Sequence, residues 1–375
     1  MRTILTLLLC SFVLGSTGMA QEVIENPETP LNKDAGRIVK PQAVLSIKDM
    51  GDDYYFQDVR NIKISPEGFI FIQDWEQLLQ FDREGNYIRN FLKKGKGPGE
   101  VEYVRNFCIF NGDLVAHDTQ LNKILWFDMN GNLVKEFRIY EPIGFAYFVN
   151  ILNNRYYFFK SEIPLIKGKP RVVDYPQDLV SYSPEKKELR DLSSFPIKSF
   201  VAVSGRSKGS IGINHLIVVP YKSLLYISHT PEYLIKVYDL KNEKTVLIFN
   251  REYKREQTPP EVKGKQGGKV ILNGKEYTRP PQKYLNDIKN LLVYKDKLWV
   301  MTSKTDEEKG IFIDVFDFEG RYVDNFFLQL PVIKANNIYV SYEFWNMALS
   351  EDAVYVVEPN EDGTNQVVKY VIENQ

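Results

Sequence analysis

Asn61-Ile-Lys-Ile-Ser-Pro-Glu-Gly68, Phe69-Ile-Phe-Ile-Gln-Asp74, Leu78-Leu-Gln-Phe-Asp82 and Tyr87 to Leu92 are four short β-forming runs separated by turn residues, and the next stretch repeats them. The repeat reads Asn106-Phe-Cys-Ile-Phe-Asn-Gly112, Asp113-Leu-Val-Ala-His-Asp118, Ile124-Leu-Trp-Phe-Asp128, then Asn130-Gly131 and Leu133 to Ile139. Runs rich in β-branched and aromatic residues, bounded by Gly, Asn and Asp, are strand-and-turn signals. The third run ends in an aromatic followed by a turn. That ending returns as Phe81-Asp82, Phe127-Asp128, Tyr182-Ser183, Tyr238-Asp239, Phe316-Asp317 and Tyr370-Val371. Six such units predict an all-β fold, a six-bladed β-propeller of four-stranded antiparallel blades. The widest interval, from Tyr238 to Phe316, holds a Lys-, Gly- and Pro-rich insertion around residues 254–282.

The two ends of the repeat fit each other. The sixth unit reaches its third strand at Val367 to Ile372, and the sequence given then stops one strand short. The run Ile38-Val-Lys-Pro-Gln-Ala-Val-Leu-Ser-Ile47 precedes the first unit and is one strand too many. Closure of the ring by this N-terminal strand, completing the C-terminal blade, removes both the surplus and the deficit.

The first twenty residues have the form of a secretory signal: Arg2, an apolar stretch from Ile4 to Leu14, and Gly18-Met19-Ala20 before Gln21. Export to the periplasm or the extracellular space is the expectation, with lipid attachment at Cys10 as the alternative. Residues 21–36, polar and carrying Pro27 and Pro30, read as a flexible leader, and residues 37–375 as the propeller. Beyond the signal no stretch is long and apolar enough to be a transmembrane helix. Once the signal is removed Cys108 alone remains, in an apolar run, which predicts a buried structural thiol. A net charge of −1 with no basic stripe argues against nucleic acid as a partner. The lysines from Lys254 to Lys275 are interrupted by Glu256, Glu261, Gly and Pro and read as a solvated loop. A monomer is expected.

Blades reading Asp113-Leu-Val-Ala-His-Asp118 and Ile124-Leu-Trp-Phe-Asp-Met-Asn-Gly131, joined to the first unit by Gly95-Lys-Gly-Pro-Gly-Glu100, resemble NHL/TolB-like six-bladed propellers. They look most like the exported propellers of Bacteroidetes, over roughly residues 37–375. The resemblance implies fold and export; it implies no particular activity.

Two repeated positions converge on one mouth of the central channel, because the first strand of a blade begins on the face where its second strand ends. The first position reads Asn61, Asn106, Asn150, His215, Asn290 and Asn346, and Arg60, Arg105 and Lys289 precede three of these. The amides either bond the backbone of the neighbouring blade or form a polar ring for a ligand. The second position reads Asp74, Asp118, Ser161, His229, Ser303 and Glu358. Its carboxylates Asp74, Asp118 and Glu358 are either turn acceptors or hard oxygen ligands suited to Ca2+. Trp75 and Trp345 flank the mouth as aromatic candidates.

A three-histidine metal site is excluded by alternation, since His117 and His229 fall on opposite faces of their strands. No nucleophile elbow, phosphate loop or Cys/His cluster appears. The expected function is therefore an exported binding protein that presents a polar channel mouth to a glycan, peptide or protein, with no cofactor and no catalysis. The alternative is a Ca2+-dependent, lactonase-like hydrolase working at the same mouth.

Overall fold

The computed structural model describes residues 22–51, 53–141, 143, 146–260, 268–331 and 347–372. It is all-β, and among the described residues six sheets have four or five strands. Sheet I comprises Val59–Ile64, Ile70–Asp74, Gln77–Phe81 and Tyr87–Asn90. Sheet II comprises Val104–Phe110, Asp113–Asp118, Lys123–Phe127 and Leu133–Arg138, and sheet III Tyr147–Leu152, Arg155–Lys160, Asp178–Ser183 and Glu188–Ser194. Sheet IV has Ile217–Tyr221, Leu224–Ser228, Ile235–Asp239 and Lys244–Arg251; sheet V has Ile288–Tyr294, Lys297–Asp306, Gly310–Phe316 and Tyr322–Leu328. Sheet VI joins Met347–Leu349, Ala353–Pro359 and Asn365–Val371 to Gln42–Ile47. The sheets are separate; none closes on itself.

Side-chain alternation explains how the sheets stack. On the second strand of sheet I, Ile70 and Ile72 pack with Tyr355 and Val357 of sheet VI, while Phe71 between them packs with Phe107 and Leu114 of sheet II. Sheet II repeats this: Leu114 and Ala116 face sheet I, and Val115 faces Phe158 and Val180 of sheet III. Both faces of a middle strand are thus covered, so these strands are apolar throughout rather than alternating with polar residues. Similar clusters fill the gaps between sheets III and IV, IV and V, and V and VI.

The aromatic-turn signature has a local cause. Asp82 accepts the amides of Glu84 and Asn86, and Asp128 those of Asn130 and Asn132. Asp239 and Asp317 do the same for Lys241 and Arg321. Gly85, Gly131 and Gly320 supply the positive φ, 81° to 86°, that the turns of sheets I, II and V need.

The leader corrects the sequence reading. Glu22–Asn26, expected to be flexible, lies parallel on Lys244–Arg251 as the fifth strand of sheet IV. The Asn26 amide donates to the carbonyls of Asn250 and Gly320, and its oxygen accepts from the amide of Tyr322, which ties sheet IV to sheet V. Polar composition reports the lack of a core face; it does not report that an unpaired sheet edge is waiting for a backbone. The run Ile38 to Ile47 is also two strands. Arg37–Val39 lies parallel on sheet V, and after Pro41 the chain crosses so that Gln42–Ile47 pairs antiparallel with Asn365–Val371.

Insertions build an accessory layer. Arg171–Tyr175, Ile197–Ser204 and Ser207–Gly212 form a three-stranded sheet, and Lys269–Leu272 pairs with Lys275–Thr278 as a hairpin. Phe200, Ala202, Val270 and Leu272 make their common core. These segments leave the main sheets between strands two and three of sheet III, or between one sheet and the next. Up-down alternation puts all of those connections on the face where the first strands begin.

A buried latch also joins sheets IV and V. Arg251 Nε donates to Asp314 Oδ2 at 2.8 Å, and so does the Tyr233 hydroxyl. The guanidinium sits 4.8 to 5.2 Å from the ring centroids of Tyr233, Tyr253 and Tyr322. Replacing Asp314 by Ala strands a buried cation, and the expected loss is about 3–5 kcal/mol of unfolding free energy in urea. Asp314→Ala unfolding at the wild-type midpoint would refute this role.

Candidate functional site

A cavity of about 500 Å³ lies at the centre, lined by the first strands of all six sheets: Asn61, Arg105, Tyr147, Ile217, Asn290 and Met347 are one residue from each. Four of these strands carry a β-bulge, at Arg60, Arg105, Val149 and Lys289. An inner strand has no partner on its inner edge, and a bulge there turns consecutive side chains towards the opening.

Pairing registers test the repeated Asn position directly. Asn61 pairs with Gln73, Asn106 with His117 and Asn290 with Met301, each one residue past the bulge and in equivalent register. Asn150 does not share this place. The bulge of sheet III comes two residues later, Tyr147 takes the equivalent position, and Asn150 donates to the carbonyl of Lys222 in a turn on the far face. In sheet IV the register place falls to Ile217, paired with Ser228, while His215 precedes the strand and still lines the cavity. Asn346 and Trp345 lie outside the described residues.

The three amides in register do different work. Asn106 is buried; its oxygen accepts from the Phe148 amide at 3.2 Å and its Nδ2 donates to the Phe148 carbonyl, which fixes sheet III to sheet II. Asn290 accepts from the Leu291 amide at 2.8 Å. The side chain of Asn61 bonds no described residue and faces the cavity.

The acidic position proves structural. Asp74 is fully buried and accepts from the amides of Gln57 and Asp58 at 2.7 and 3.1 Å. Burial pushes its carboxyl above the usual range, and the two amides oppose that. Asp118, also fully buried, accepts from Glu102, Tyr103, Gln120 and Leu121. Each carboxylate pins the linker entering its own sheet, where backbone amides otherwise lack partners. Glu358 accepts from the Tyr370 hydroxyl at 2.9 Å, and burial raises its carboxyl. Lys160 and Thr302, not Ser161 and Ser303, occupy the corresponding places in sheets III and V.

None of Asp74, Asp118, His229 and Glu358 lines the cavity. Among the described residues no three His, Cys, Asp or Glu side chains could jointly hold a metal ion. The donor set therefore does not fit Ca2+: Asp74 and Asp118 would have to release the backbone amides they hold.

The remaining candidates fall into packing roles. His229 Nδ1 lies 2.9 Å from the Pro196 carbonyl, and its ring meets Phe195 edge-on. His117 is fully buried against Phe158, and burial followed by Arg105 pushes its imidazole down to about 3. Cys108 is half-buried, and desolvation pushes its thiol up to about 12. Trp75 is exposed, with a φ of 32° that non-glycine residues seldom adopt. The Arg60 guanidinium lies 4.2 Å from its ring centroid and donates to the Tyr103 hydroxyl.

Residues 49–266 match the family model DUF5128, described as 6-bladed beta-propeller. The chain belongs to this family. A putative exported protein from Bacteroides fragilis is similar in structure to this DUF5128 propeller, with a TM-score of 0.52 and 12% identity over 94% of this chain and 100% of the other. A DUF4221 member from Bacteroides vulgatus gives 0.55 and 10% over 89% and 98%. Both likenesses concern the fold alone. No curated protein matches the chain in sequence.

Sequence reasoning missed the cations of this DUF5128 propeller. Arg105 and Lys63 line the cavity, and Lys289 occupies the bulge beside Asn290. Arg60, Arg105 and Lys289 were visible as basic residues preceding the repeated Asn; Lys63 had no signal. Tyr147, whose side chain is open to the cavity, occupies the place assigned to Asn150.

Burial lowers the Lys289 ammonium from 10.5 to about 8, opposed by Asp287. The unfolded chain therefore binds more protons between those values, and folding stability rises with pH across that window. Lys289→Met is expected to stabilise the protein at pH 7 by about 2 kcal/mol, after discounting for partial exposure. The advantage should shrink as pH rises from 8 to 10.5. Urea titrations of both proteins across that range check this, and a constant difference would refute it. Asp118→Ala should lose about 2 kcal/mol through its stranded amides; no change in its urea midpoint would refute the anchoring role.

Proposed function

We propose that this chain is an exported, non-catalytic propeller that takes a ligand into its central cavity from the face bearing the accessory sheet. The observation that carries this is the cavity itself. It has the volume of a small-molecule site, and it is lined by Asn61, Arg105, Tyr147, Gln177 and His215 among apolar neighbours. The ligand is a glycan, or the part of a peptide or protein that fits the opening. The accessory layer brings Gln177 and Ile197 to the rim, an asymmetry that a selective site needs. The lactonase-like reading has less support, because the carboxylates it requires already hold backbone amides.

Six blades in a closed ring are part of the same proposal. First strands are neighbours in the order I, II, III, IV, V, VI and back to I, and one apolar cluster joins sheet VI to sheet I. The seam is Gln42–Ile47 on Asn365–Val371. Export rests on the signal-like first twenty residues and on the likeness to an exported protein. No described helix is long and apolar enough to cross a membrane.

Asn61→Trp should fill the cavity without disturbing the inter-sheet clusters. A panel of oligosaccharides and peptides, screened by thermal shift, is expected to yield a binder of the wild type that this variant loses. Mass spectrometry after prolonged incubation should find the binder unaltered; accumulation of product would overturn the non-catalytic reading. The exported protein is expected to begin at Gln21, and an intact mass carrying a lipid on Cys10 would overturn that cleavage.

A further inference from the structure

The described side chains that line the cavity carry charge of one sign. Lys63 and Arg105 stand on the adjacent first strands of sheets I and II, and no Asp or Glu is among the described lining residues. Neither cation makes an ion pair with a described residue. The nearest aromatic to the Lys63 ammonium is the Phe107 ring, 5.8 Å from its centroid. Lys289 takes on sheet V the same bulge place that Arg105 takes on sheet II, three first strands away in either direction around the ring.

This contrasts with the buried cations elsewhere. Arg251 is paired with Asp314, and Lys123 with Glu136 at 3.1 Å. Arg255 is paired with Asp287 at 2.9 Å. Outside the cavity the two cations that are buried outright, Arg251 and Lys123, each have a counter-charge, and half-buried Arg255 has one too. Inside it, the half-buried Lys63 and the exposed Arg105 have none among the described residues, and burial lowers the Lys63 ammonium.

We propose that the central cavity is an anion-binding site. Its ligand is a small molecule bearing a carboxylate, phosphate or sulfate group held by Arg105 and Lys63, with the charge of Lys289 felt in the cavity at His215. This rests on the reading that the cavity is the binding site and names the chemistry of what enters it. A guanidinium presents a planar fork that matches an oxyanion through two parallel bonds, and Lys63 adds a point charge. The Asn61 amide, which bonds no described residue, can donate a neutral hydrogen bond. Phe148 and Phe159 offer apolar contact to the body of the ligand.

The local field agrees. Burial and then Lys289 and Arg279 push the His215 imidazole down to about 4, so it stays neutral in the cavity at physiological pH. The same sign of field opposes a divalent cation and raises the arrival rate of an anion.

The test uses the full exported chain at constant ionic strength. Citrate, D-galacturonate, inorganic phosphate and sulfate are titrated calorimetrically, with D-galactose as the uncharged counterpart of galacturonate. At least one anion is expected to bind, galactose to bind far more weakly, and Arg105→Gln and Lys63→Met each to weaken the anion by roughly tenfold or more. The strongest binder of the four distinguishes a carboxylate from a phosphate or sulfate ligand. Lys289→Met is expected to weaken the anion while raising the thermal midpoint, a combination that a structural lysine would not give.

Failure of the four anions to bind, or binding unchanged in both Arg105→Gln and Lys63→Met, overturns the proposal. Galactose binding as well as galacturonate, with both lost in Asn61→Trp, overturns the anion chemistry and leaves the cavity reading standing. An anion that binds Asn61→Trp as tightly as the wild type sits elsewhere, and both readings fall.

Discussion

Every sheet in this protein depends on having an apolar neighbour on each side. A second strand such as Ile70–Asp74 is buried along its whole length because Ile70 and Ile72 face one sheet while Phe71 faces the other. The rule is local, a period of two, and its consequence is global. Sheets packed on both faces accept a neighbour on each side, and one cluster joins Val357 of sheet VI to Ile72 of sheet I. The hydrophobic contribution is of ordinary size per side chain. Its repetition from sheet to sheet makes the arrangement cooperative, and the latch of Arg251 and Asp314 adds directional specificity at one gap.

Radial packing leaves two classes of backbone without partners, and these explain most of the buried polar side chains. Linkers between sheets enter with free amides, which Asp74 and Asp118 accept. Inner strands begin with an unpaired edge, where Asn106 bonds both polar groups of Phe148 on the next sheet. The outer edges of sheets IV and V are closed instead by the leader strand Glu22–Asn26 and by Arg37–Val39 just after the leader. Gly95 shows how tightly one linker is held: a Cβ there would come within 2.0 Å of Glu100, whose carboxylate accepts from the Gly97 amide. The Gly-x-Gly-Pro-Gly-Glu stretch is a strapped inter-sheet turn, anchored further by Lys123 on the Gly97 carbonyl.

Much of this was legible in sequence because it is periodic. The aromatic-turn endings and the apolar second strands repeat with the structural unit, and the acid that closes the linker recurs in sheets I and II. What was not legible depends on partners distant in the chain. The parallel pairing of the leader has no compositional mark, since it uses only backbone groups. Alignment by residue type placed Asn150 and His215 with Asn61, Asn106 and Asn290, whereas strand pairing separates them, because a bulge shifted by two residues changes which side chain meets the opening. Asp74 and Asp118 read as turn acceptors or as cation ligands, and whether a carboxylate is free or engaged is a fact about amides sixteen or so residues away.

The division between structure and function follows from the same logic. Positions that keep their identity from unit to unit answer a need every unit shares, and for Asn106 and Asp118 that need is backbone satisfaction. A binding site must differ around the ring, so it is found where the repeat breaks. Lys63 stands where sheet II has Cys108, Tyr147 where sheets I, II and V have Asn, and the basic bulge residue is present in sheets I, II and V but is Val149 in sheet III. These departures gather on one cavity and include its unpaired positive charge. A scaffold that neutralises Arg251, Arg255 and Lys123 with nearby acids had the means to neutralise Arg105 and Lys63 as well. Leaving the half-buried Lys63 open carries a desolvation cost, and under the anion-site proposal the ligand supplies the missing counter-charge.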